Sequence, residues 1–223
     1  MIEHFFDQFK LICREPERYS RTRLFSLTEA EKALRFHESI PSYKETSLVS
    51  LKDAAKENGV KAIYVKDESS RFGLKAFFMN LADDFLPLVT IVEPEEAACI
   101  YQSVLAGDGE MHPLAGDPVT IMAGLNCGTP CKVVWPVLRD CSACFCACKD
   151  SVTEQGMRAY ANPVGSDPAV VSGESGAVTY GLLLSILQSD ELRRLFHIDE
   201  NSVILLISTE GDTDPDGYRR VVE

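Results

Sequence analysis

Long apolar runs, an excess of basic charge and paired histidines are all missing from this chain of 223 residues. The most apolar stretch, GAVTYGLLLSIL from Gly176, is too short to cross a bilayer and reads as a buried helix. Lysine and arginine number 22 against 34 aspartates and glutamates, a formal net charge of -12. Such a surface repels a phosphate backbone or an anionic leaflet, so neither nucleic acid nor a membrane is an expected partner. Histidine occurs four times, at His4, His37, His112 and His197, with neither metal-pair nor triad spacing. The opening MIEHFFDQFK puts acid ahead of any basic residue, unlike a secretory leader, and makes a cytoplasmic setting the expectation.

Cysteine is plentiful by comparison, with eight residues. In a cytoplasmic chain these are thiols rather than a disulfide framework. Cys141, Cys144, Cys146 and Cys148 form C-x-x-C-x-C-x-C, with Cys127 and Cys131 nearby, and a thiolate cage for zinc is the alternative they raise. As a strand, ACFCACK places Cys144, Cys146 and Cys148 on one face, roughly 6–7 Å between successive side chains. Sulfurs sharing one zinc at about 2.3 Å must lie closer together than that. Buried thiols acting as small hydrophobes are therefore expected, and no metal ligand is assigned.

Hydrophobic content of 45% and charged content of 25% are those of an ordinary globular chain. SLTEAEKALRFHES reads as a helix opened by a Thr28–Glu31 capping box, and LKDAAKEN as a helix stopped at Gly59. KAIYV reads as a short strand leading into the loop KDESSRFG. LVTIV, unbroken by charge, reads as a strand buried on both faces, followed by the helix EPEEAACIYQSVLAG. SVTEQGMRAYAN offers a second capping box, Ser151 with Glu154. GESGAVTYGLLLSILQ is a glycine-rich entrance to a buried helix, and SVILLIST an apolar strand before an acidic tail that is loop-like at first. Strands alternating with helices make the class α/β.

Several of these blocks together resemble a known family. FHESIPSYKETSLVSL, AIYVKDESSRFGLKAF, IVEPEEAACIYQS, TIMAGLNCG, GMRAYANPVGSDPAVVSGESGAV and LLISTEGDTDPDGYRRVV are similar to consecutive blocks of diaminopropionate ammonia-lyase. The resemblance implies the fold-type II architecture of pyridoxal-phosphate enzymes, as in the tryptophan synthase β subunit, and pyridoxal 5'-phosphate as cofactor. It implies an amino-acid substrate, 2,3-diaminopropionate, converted to pyruvate and ammonia, and a homodimer.

Two departures qualify it. The family pattern is approximately RFGLNAFK, its last lysine forming the Schiff base; here Phe78 stands at that position and Lys75 replaces the asparagine. Family members also carry a long middle portion where this chain has only residues 79–88. The expected organisation is therefore an N-terminal family segment, 1–78, a junction, 79–88, and a C-terminal segment, 89–223, packed as one unit: a fold-type II remnant without central strands and helices. Lys75 is the candidate catalytic amine, ahead of Lys66 in KDES. Candidate cofactor contacts are Gly173, Glu174, Ser175 and Gly176 at a helix entrance with accessible N–H groups, and Ser208 and Thr209, suited to a pyridine nitrogen. Loss of the usual amine implies an impaired or inactive lyase, with a cofactor-free relative or deletion product as the alternative.

Overall fold

The computed structural model describes residues 2–14, 31–32, 35–36, 39, 46–68 and 87–223. Lys75, Phe78 and Thr28 lie outside them, while Glu31, Lys32, Arg35 and Phe36 are helical. The strands are β1 (Ile2–Phe5), β2 (Phe9–Cys13), β3 (Leu48–Ser50), β4 (Ala62–Asp67), β5 (Thr90–Pro94), β6 (Cys144–Cys148) and β7 (Val203–Ser208). The helices are α1 (Lys52–Glu57), α2 (Cys99–Ala106), α3 (Trp135–Cys141), α4 (Asp150–Ala161), α5 (Glu174–Leu187), α6 (Asp190–Leu195) and α7 (Pro215–Val222).

Two sheets form, in the orders β1-β2-β6-β5 and β3-β4-β7. β5 and β6 run parallel, as do β4 and β7, whereas the β1–β2 hairpin joins β6 antiparallel. The period of two along β6 sorts its side chains. Cys144, Cys146 and Cys148 pack with Phe9 and Leu11 against α5, while Phe145 and Ala147 face Tyr101, Val104 and Trp135 on the far side. The one-face reading of the three cysteines therefore holds. Among the described residues no group of three or more His, Cys, Asp or Glu could hold a metal ion.

Helix α5 joins the sheets. Val178, Leu182 and Ile186 pack toward the first, Ala177, Tyr180, Leu183 and Leu187 toward the second. A helix apolar all round belongs in an interior, which is where GAVTYGLLLSIL lies. None of the described helices is long and apolar enough to cross a membrane. On one side of α5, β5 and β7 are the last described strands of their sheets, and a cleft of about 900 Å³ opens there. Its walls include Thr90 and Val92 from β5, Leu205 and Ile207 from β7, and Leu182 and Ile186 from α5.

Two local expectations need correction. LVTIV is only partly buried from Thr90 to Val92, because β5 is the last strand of its sheet among the described residues. Ser151 does not cap α4: Lys149 holds that position without a side-chain bond, and Glu154 instead pairs with Arg158 at 3.0 Å. The helix starts at Asp150, whose carboxylate accepts from the Thr120 hydroxyl, at 2.5 Å, and the Ile121 amide. The acidic tail opens as a loop, as expected, and then forms α7, capped by Asp214, which accepts from Gly217 N at 3.1 Å. The start MIEHFFDQFK, read only for its charge order, contributes β1 and the first residues of β2.

Candidate functional site

Parallel strands β4 and β7 end side by side, with Asp67 opposite Ser208 and Glu68 N donating to Ser208 O at 2.7 Å. The carboxyl ends of parallel strands are where α/β folds build ligand sites. Here that end gathers Glu68, just past β4, the STEGDTD loop and the amino terminus of α5. Three motifs far apart in sequence thus share one corner.

Glu210 organises the corner. Its Oε2 accepts from Ser175 N at 3.0 Å, its Oε1 accepts from the Thr213 hydroxyl at 2.8 Å, and its backbone oxygen accepts from Gly173 N at 2.9 Å. The first turn of α5 needs acceptors for its orphan N–H groups, and a carboxylate there also meets the positive end of the helix dipole. Gly173, the N-cap, has no side chain to offer, so the chain supplies Glu210 from the loop after β7. Ser175 turns its hydroxyl outward to accept from Gly124 N at 3.0 Å.

The glycines are required by proximity. A Cβ on Gly176 would stand 2.6 Å from Ser172 Oγ and 3.0 Å from Ser208 Oγ. One on Gly173 would overlap the Gly211 carbonyl. Ser208 is fully buried and donates to Ser172 Oγ at 2.8 Å, whereas Thr209 is exposed. Glu174 is half-buried beside Gly217.

The structure therefore brings Gly173, Glu174, Ser175, Gly176, Ser208 and Thr209 together, but not as open donors. The amides of Gly173 and Ser175 go to Glu210, and that of Gly176 goes to Gly173 O at 3.1 Å. The Glu210 carboxylate thus caps the helix from within the chain, and the Ser208 hydroxyl is spent on Ser172. Lys66, the second candidate amine, donates to Thr46 O at 2.6 Å and lies 3.5 Å from Glu68. Glu210, Ser172 and Gly124 escaped the sequence reading. Glu210 stood in a quoted motif, but only the fold shows that it caps a helix beginning 36 residues earlier in the numbering, at Glu174.

No protein-family model matches the chain. In sequence it is 41% identical over 150 residues to diaminopropionate ammonia-lyase of Salmonella typhimurium, covering 66% of this chain and 37% of that protein. To the Escherichia coli K12 diaminopropionate ammonia-lyase it is 47% identical over 135 residues, 59% of this chain and 33% of that protein. The matched stretch is thus well under two thirds of these relatives' length. In structure it is similar to holo diaminopropionate ammonia lyase from Escherichia coli, with a TM-score of 0.83 and 22% identity over 97% of both chains. It is also similar to the same enzyme with an aminoacrylate–PLP azomethine intermediate, with a TM-score of 0.79 and 25% identity, covering 96% of this chain and 97% of that one. The chain is a sequence relative of diaminopropionate ammonia-lyase, a carbon–nitrogen lyase, and its fold is fold-type II.

Proposed function

We infer that this chain is a shortened and catalytically impaired relative of diaminopropionate ammonia-lyase. The parent activity would be elimination of ammonia from 2,3-diaminopropionate, with pyridoxal phosphate serving as electron sink. The 79–88 junction stands in place of the family's middle portion, and the setting is a cytoplasmic homodimer with an amino-acid substrate. The observation that carries the reading is Phe78 at the position where the family pattern has its Schiff-base lysine.

Lys75 remains the one candidate amine for residual activity. Purified protein is titrated with pyridoxal phosphate, followed by its absorption spectrum, then reduced with borohydride and mapped for modified lysines. Pyruvate release from 2,3-diaminopropionate is measured in parallel. The expected result is no lysine-bound cofactor band, label scattered over surface lysines and no pyruvate above the blank. Label confined to Lys75 together with pyruvate would show a working compact lyase and overturn the reading.

A further inference from the structure

The pairing that builds the first sheet also sets two thiols face to face. Cys13, the last residue of β2, lies directly opposite Cys144, the first of β6. Arg14 N donates to Ala143 O at 2.9 Å and Lys149 N donates to Gln8 O at 3.0 Å, so the hydrogen-bonded pairs include 14 with 143 and 8 with 149. Cys13 and Cys144 therefore occupy a non-hydrogen-bonded pair. Cα atoms at such positions lie about 4.5 Å apart and side chains approach closely, within the window of about 4.4–6.8 Å that a disulfide needs. Both are free thiols, with their sulfurs 2.6 Å apart.

Register makes the pair specific. The other two cysteines of β6 face apolar residues on β2, Cys146 opposite Leu11 and Cys148 opposite Phe9. Access is graded as well. Cys13 and Cys144 both line the cleft beside α5, but Cys13 is half-buried and Cys144 only 5% exposed, so a small molecule in the cleft meets Cys13 first. The Cys144 S–H beside it holds the Cys13 thiol below the usual thiol range, while that contact and burial hold Cys144 well above it.

We propose that Cys13 and Cys144 form a reversible dithiol–disulfide site, oxidised by low-molecular-weight disulfides of the glutathione type. The Cys13 thiolate attacks one sulfur of the small disulfide; that S–S bond breaks and the first small thiolate leaves, taking up a proton. Cys144 then gives up its proton and attacks the Cys13 sulfur of the mixed disulfide. The second small thiol departs as the Cys13–Cys144 bond forms. Two protein thiols lose two electrons, and one small disulfide becomes two thiols. The product ties the N-terminal hairpin to β6 across a sequence separation of 131 residues.

The test uses the reduced full chain carrying Cys127→Ser and Cys131→Ser, which removes the two exposed thiols. After incubation with glutathione disulfide, the protein is quenched in acid, alkylated, digested and mapped without reductant. The expected result is one linked peptide pair containing Cys13 and Cys144, loss of two titratable thiols, and full recovery with dithiothreitol. The same mapping on the unsubstituted chain finds the same pair, so the result does not depend on the variants. Recovery of Cys13 as a stable glutathione adduct, or of both residues as free thiols, would overturn the proposal. So would pairing spread over Cys141, Cys146 and Cys148.

Discussion

Gly156 and Gly181 are where α4 and α5 touch backbone to backbone. A Cβ on Gly156 would overlap the Ala177 carbonyl oxygen, and one on Gly181 would overlap that of Val152. Neither helix can yield without disturbing both sheets, so Gly156→Ala is expected to cost about 3 kcal/mol, the upper range of ordinary overpacking. Gly116→Ala is the control: its φ is 82° but nothing lies within 4 Å of the added carbon, and the cost should be nearer about 1 kcal/mol of left-handed strain. Urea midpoints at unchanged slope separate the two. Glu93 gives a second prediction at this scale. Buried at 7% exposure, its carboxyl is pushed up from 4.5 to about 7 by desolvation, against the opposing pull of bonds from Ile100 N and Tyr101 N. Its folded value lies above its unfolded one, so the stability it contributes is full below pH 4.5 and is lost as pH rises through 7. The loss across that window should be on the order of 3 kcal/mol, read from unfolding free energies at several pH values. Glu93→Gln should flatten that dependence whatever it does to absolute stability; an unchanged profile would count against the assignment. Neither role was legible beforehand, since IVEPEEAACIYQS shows an acidic helix start but not which carboxylate the fold buries.

Elements were more legible than the contacts that tie them. SVILLIST, KAIYV and the α5 helix could be read because period and composition act locally, and Gly59 and Gly107 do end α1 and α2 with positive φ of 61° and 72°. The capping box at Ser151 failed because the helix begins at Asp150, which puts Ser151 inside its first turn, and Glu154 pairs with Arg158 instead. α5 shows the same limit: GESGAV reads as a helix entrance, yet the acceptor for Ser175 N comes from Glu210, after β7. Glu210→Ala should therefore weaken the first turn of α5, lowering stability by about 1 kcal/mol, as loss of a helix cap does. Amide exchange at Ser175 should accelerate, while Gly173 N, which bonds the Glu210 backbone oxygen, should remain protected. Equal exchange at Ser175 in both proteins would mean that the carboxylate does not cap the helix.

At the scale of the whole molecule, two sheets share one central helix and leave their edges on a common cleft. β5 and β7 are the last described strands on that side, and Leu88, Val203 and Leu205 are 54%, 59% and 40% exposed. Edge strands carrying exposed apolar residues recruit further strands, and monomers rarely leave a wide apolar patch to water. The family resemblance implies a homodimer; strand order and exposure among the described residues supply an independent reason to expect association. Light scattering should give a mass of at least twice the 24.7 kDa chain. Leu205→Lys puts a charge on the β7 edge inside the cleft, where lysine opposes pairing, and should return the mass toward that of one chain. If the unsubstituted protein stays monomeric across a hundredfold range of concentration, the cleft is not an assembly surface. If it assembles and Leu205→Lys does not change the mass, the contact lies elsewhere, and the open edges must be covered within a single chain.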